Sequence, residues 1–178
     1  WSAFSDWLGL NYGAPAGSFR RHNQVYLVYA PLAEPLDRQP LARYANGPTL
    51  LAAGSVSDEA GPGSPATLRT AWLVERPLLG DLAARCTLID DSGQEWAQAD
   101  AGLFASGMDS LRRRPTSQWE PGELVADRLA IDVPTGTPPG TYRATLTLYD
   151  ARSARLEAVG ADGAPIGQQL AVASVRVR

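Results

Sequence analysis

The chain has 178 residues, 44% apolar and 20% charged, which excludes a chain disordered throughout. That length suits one large β domain, or an ordinary sandwich with an N-terminal addition. Its net charge of −3, with every cation an arginine, offers no basic field for phosphates and argues against nucleic acid as a partner.

The 17 glycines and 14 prolines imply frequent turns, and the scarcity of long periodic runs favours strands over helices. No apolar run reaches the roughly 18 residues that a bilayer-spanning helix needs. The chain opens on Trp1 without an initiator methionine, as a mature form or an excised piece does. A single cysteine, Cys86, cannot make an internal disulfide.

Residues 1–42 read as an irregular N-terminal extension, either an addition to the main domain or the end of a preceding region. Trp1, Phe4, Trp7 and Tyr12 are positioned to cover an apolar patch or to meet a neighbour. The run VYLVYAPL predicts a short buried strand over 25–29, stopped before Pro31, and the prolines at 35, 40 and 48 mark 34–48 as a connection.

Residues 43–178 then read as an all-β, antiparallel, immunoglobulin-like β-sandwich. Strand-like segments fall at 49–56, 66–74, 83–90, 95–99, 124–133, 141–150, 155–159 and 168–178. The turn signals DEAGPGSP, DDSG, PTGTPPG and GADGAP separate them. The best helical candidate is the short run 78–84. Alternation assigns Leu129, Ile131 and Val133 to the core face of one strand, and Tyr142, Ala144, Leu146 and Leu148 to that of the next. Their neighbours Arg143, Thr145, Thr147 and Tyr149 then face water, as in an antiparallel sheet with one wet face. Trp72 and Trp96, inside strands, are expected to fill the space between the layers.

The residue inventory is poor in reactive groupings. Cys86 shares parity with Ala84 and Leu88 and reads as an interior thiol. The single histidine, His22, lies in the extension between polar neighbours, so neither a Cys/His dyad nor a Ser-His-Asp triad is indicated, and one Cys with one His cannot supply a zinc site. The pairs Asp90-Asp91 and Asp58-Glu59 could serve two-carboxylate glycoside hydrolysis. Adjacent strand residues point oppositely, however, and both pairs sit at turns where Asp bonds its own backbone. A calcium site combining Asp90 and Asp91 with Asp100 or Asp150 lacks any EF-hand-like spacing. The run Arg112-Arg113-Arg114 reads as a solvated loop. Trp119, between Gln118 and Glu120 and ahead of Pro121-Gly122, caps the open end of the sandwich or, as an exposed indole among polar groups, holds a sugar ring. Trp119, Gln118 and Glu120 are thus the candidate ligand-binding residues; no catalytic, metal or cofactor-binding residue is indicated.

The segments LIDDSGQEWAQAD, RRRPTSQWEPGELVADRLAIDVP and TPPGTYRATLTLYD together resemble a β-sandwich module found at the extracytoplasmic C-terminal end of bacterial membrane glycosyltransferases of the protein-mannosyltransferase type. The matching positions are Asp91, Gly93, Gln98, Asp100, 115–117, Trp119, 121–123, Asp127, 139–143 and 148–150, within a resemblance spanning 49–178. Where that module carries an aromatic and a histidine before the DDSG turn, this chain has Ala84-Arg85-Cys86-Thr87, and its loop after Asp100 is longer. The resemblance implies a non-catalytic, extracytoplasmic accessory domain of the cell envelope, touching glycan, protein or a parent membrane enzyme. The alternatives are a free-standing carbohydrate-binding module and a carboxylate-dependent hydrolase.

Overall fold

The computed structural model describes residues 17–21, 24–28, 39–56, 59–105 and 114–178. In the extension, β1 (Gly17–Arg21) and β2 (Gln24–Val28) form an antiparallel ribbon, so the described part of the strand predicted at 25–29 has a partner and this stretch is regular where an irregular one was expected; Tyr29 lies outside the described residues. Trp1, Phe4, Trp7, Tyr12, His22, Asp58, Arg112 and Arg113 lie outside the described residues.

Two facing sheets follow. One contains β3 (Ala42–Tyr44), β4 (Thr49–Ser55), β6 (Pro65–Leu73), β11 (Leu124–Asp132), β13 (Ala158–Val159) and β14 (Pro165–Gly167), in the order β11-β6-β4-β3-β13-β14. The other contains β5 (Glu59–Ala60), β7 (Ala83–Ile89), β8 (Glu95–Gly102), β12 (Gly140–Tyr149) and β15 (Leu170–Val177), in the order β5-β15-β12-β7-β8. Pairings are antiparallel except β5 with β15. A short ribbon of β9 (Phe104–Ala105) and β10 (Arg114–Pro115) leads into a 3₁₀ turn at Thr116–Gln118. The fold is the expected immunoglobulin-like sandwich.

Parity places the core as the sequence predicts. Leu129, Ile131, Val133, Tyr142, Ala144, Leu146 and Leu148 are all buried, and the registers Leu129 with Leu68 and Leu146 with Cys86 stack them in rows across each sheet. The opposite face of β12 departs from expectation: Arg143 is exposed, but Thr145 and Thr147 are buried. β12 is an interior strand, flanked by β15 and β7, so side chains on its neighbours can shade its outer face. Gln169 Nε2 reaches over to donate to Thr145 Oγ1 at 2.9 Å.

The run 78–84 is not a helix. Leu78 and Leu82 are buried while Leu79 is 96% exposed, a spacing that imitates helical periodicity in a loop broken by Pro77 and Gly80. Of the predicted strand at 155–159, only β13 and a bridge between Tyr149 and Arg155 form.

Candidate functional site

The corner built by 114–123 is held by a dense set of hydrogen bonds. Thr116, fully buried, accepts from Leu82 N at 2.7 Å and donates to Gly80 O at 3.1 Å, tying the turn to the loop that enters β7. Ser117 N donates to Asp81 Oδ1 at 3.2 Å. Arg114 pairs with Glu123 and donates to Gln118 O, so this member of the arginine run is engaged and not simply solvated. The other Glu123 oxygen accepts from Glu120 N at 3.0 Å. Gly122 takes a φ of +86°, which the PG turn requires and a side chain would strain, and its N–H donates to Val74 O.

Trp119 sits inside this corner at 3% exposure, its Nε1 donating to Arg114 O at 3.1 Å. The sugar-stacking expectation is therefore corrected: the indole fills the end of the sandwich, because ring burial and a satisfied N–H together stabilise it there. Gln118 and Glu120 are exposed on either side, without an aromatic face between them.

A different tryptophan lines an open hollow. A cleft of about 320 Å³ lies between the β7–β8 turn and the segment entering β12, lined by Asp90, Asp91, Ser92 and Trp96 and by residues 138–142. Asp90 organises it. Its Oδ1 accepts from Ser92 N (2.8 Å), Ser92 Oγ (2.6 Å) and Gln94 N (3.0 Å), and its Oδ2 accepts from Trp96 Nε1 at 2.8 Å. These donors, Ser92 Oγ and the indole foremost, hold its carboxyl down at a pKa of about 2. The turn reading of Asp90 thus holds, and its neighbour Gly93 has a φ of +87°.

Trp96 owes its position to a register shift. Leu88 pairs with Ala97 but Ile89 with Glu95, leaving Trp96 as the extra residue of a β-bulge. The bulge turns the indole onto Tyr142, with ring centroids 6.5 Å apart and planes at 82°. Trp96 is partly buried and packs against the edge of the inter-sheet core at the rim, whereas Trp72 is fully buried within it. Tyr142 is itself fixed, its hydroxyl donating to Pro138 O at 2.7 Å. Asp91 is exposed on the cleft and, unlike Asp90, has no internal partner among the described residues. The place of Trp96 three residues after the DDSG turn, near the start of a strand, was the available hint that it would reach the rim.

The other candidates disperse. Cys86 is buried, and loss of solvent pushes its thiol up to about 12, leaving it protonated and unreactive near neutral pH. Asp100 receives Arg85 in bidentate fashion, Nε at 2.7 Å and Nη2 at 2.8 Å, which holds its carboxyl below the usual range. Asp150 Oδ1 accepts from Arg152 N and Ala154 N, and Glu59 pairs with Arg178. Among the described residues no group of three His, Cys, Asp or Glu could hold a metal.

A second hollow, about 450 Å³, is bordered by Arg43, Tyr44, Glu75, Arg76 and Glu157. Thr49 donates to Glu75 at 2.6 Å and Gln168 to Glu157 at 2.8 Å, and the Tyr44 hydroxyl is buried with no hydrogen-bond partner among the described residues, its acidity weakened by burial and then by the Cys86 thiol. Among the described residues no helix is long and apolar enough to cross a membrane.

No protein-family model matches the chain, and no curated protein matches it. Solved structures similar to it include a beta-glucuronidase from glycoside hydrolase family 2, at 8% identity and a TM-score of 0.41 over 61% of this chain. Others are a Niemann-Pick type C2 protein from the Japanese carpenter ant (7%, 0.38, over 80% of this chain and 96% of that one) and the CARDB domain of the PF1109 protein from Pyrococcus furiosus (16%, 0.33, over 75% and 96%). The chain spans 11% of the beta-glucuronidase, and none of these overlaps assigns it an activity.

Proposed function

We propose that this chain is an accessory β-sandwich domain that works by contact with glycan or protein, performs no bond-breaking step itself, and belongs outside the cytoplasm with a membrane glycosyltransferase of the protein-mannosyltransferase type. The observation that carries this reading is where the polar groups of the three resembling segments go. Thr116, Glu123, Tyr142 and Asp150 all bond within the chain, and Asp100 is closed by Arg85. These groups, committed to turns and strand entries, stabilise a scaffold, and exposed side chains of the same segments such as Asp91 are left for contact.

Two experiments test the reading. The purified chain is expected to turn over no member of a panel of chromogenic glycosides; turnover would instead favour the carboxylate-dependent hydrolase. In the full open reading frame, apolar spans of about 20 residues are expected upstream. A cleavable leader alone would favour the second reading, a free-standing carbohydrate-binding module, for which the Trp96 cleft is the motivating feature.

A further inference from the structure

We infer that the cleft at the β7–β8 turn is a glycan-binding subsite, with Trp96 as the apolar platform and Asp91 as the hydrogen-bond acceptor for one ring of a neutral oligosaccharide. The inference rests on the contact function proposed above and names the place and the ligand class.

Three features of the cleft select a sugar. First, its volume of about 320 Å³ sits at the small end of the range for ligand pockets, enough for one pyranose ring with the rest of the chain in solvent. Second, Trp96 is pre-set. Its Nε1 is held by Asp90 and it meets Tyr142 nearly at right angles, so docking a ring on it costs little side-chain ordering. A pyranose presents axial C–H groups on one face and hydroxyls around its edge, and it needs such a fixed apolar surface beside polar groups.

Third, the polar groups on the cleft are acceptor-rich. Asp90 already accepts from four donors and serves to hold the turn, whereas Asp91 has an exposed carboxylate with no internal partner among the described residues. Thr141, also exposed, adds a hydroxyl on the opposite side. Sugar hydroxyls donate to such a carboxylate through charge-assisted bonds. Two neighbouring aspartates repel uronic acids and phosphorylated sugars, so the ring is neutral. Trp119, at the other candidate position, offers no accessible face.

Isothermal titration of the 178-residue chain with neutral trisaccharides of mannose, glucose and galactose tests this. At least one should bind saturably. Trp96→Ala should abolish that binding, and Asp91→Asn, which alters an exposed side chain with no partner among the described residues, should weaken it about tenfold while leaving unfolding unchanged. Glu120→Ala, at the far corner, should bind as wild type.

Choline and free arginine serve as competing probes, because an indole beside a carboxylate also suits a cation. Saturation by either of them with no trisaccharide bound overturns the inference. So does silence of a folded sample toward every trisaccharide at millimolar concentration, or binding that survives both the Trp96 and the Asp91 substitutions. Turnover of a chromogenic glycoside would undo the accessory-domain reading instead, without touching the cleft.

Discussion

Replacing Leu146 by alanine probes the inner layer at its centre. Leu146 is fully buried on β12, with Cys86 on one side and Leu170 on the other. The change removes three carbons from an apolar site, about 2.4 kcal/mol at roughly 0.8 kcal/mol for each methylene-sized group. The cavity left between two stiff sheets adds to that loss, and the total falls in the usual span of about 2–5 kcal/mol. For a chain of this size it lowers the melting temperature by roughly 4–20 °C. Urea unfolding monitored by circular dichroism should show a lower midpoint with an unchanged slope, since the surface exposed on unfolding is the same. Arg143→Ala, three residues away on the exposed face, should stay within about 0.5 kcal/mol of wild type. A loss below about 0.5 kcal/mol for Leu146→Ala would mean that this side chain is not on the inner face, and the register of β12 would be refuted with it.

The corner and the titrating groups supply further tests. Thr116→Val should cost about 1–3 kcal/mol, because Leu82 N is left buried without its acceptor, while Thr116→Ser should recover most of it. Trp119→Ala should cost about 3–5 kcal/mol in the same urea assay, as loss of a buried indole does. Asp90 should titrate by carboxyl carbon NMR at about 2, because folding favours its ionised form. The stabilisation this brings is present above the unfolded value of 3.8 and fades as the pH falls through about 2. A midpoint near the unfolded value would show that the Trp96 and Ser92 bonds do not form. Cys86 should resist Ellman's reagent in the native state. Its raised pKa also means that stability is intact below the unfolded value of 9.0 and declines as the pH rises from there toward about 12. Rapid labelling at pH 8 would contradict its burial.

What could be read from sequence divides along physical lines. The core faces of β11 and β12 were legible because alternation is a local property, and Leu129, Ile131, Leu146 and Leu148 have no polar reading. Thr145 and Thr147 were not, because threonine suits either face and only their place on an interior strand decides for burial. The Trp119 corner depends on Thr116 meeting Leu82, 34 residues away, a contact that a window around the PTSQWEPGE segment does not contain. The position of Trp96 depends on a one-residue register shift against β7, which alternation within β8 alone cannot reveal. The buried pair Leu78 and Leu82 carried a helical spacing into a loop, where Pro77 and Gly80 decide the outcome.

Two tryptophans divide the labour, Trp119 sealed into the framework and Trp96 presented at its rim. Following the indole N–H signals of the ¹⁵N-labelled chain during a titration with a bound trisaccharide tests that division most directly. The Trp96 signal is predicted to move saturably while that of Trp119 stays fixed; movement of Trp119 with Trp96 unchanged would contradict it.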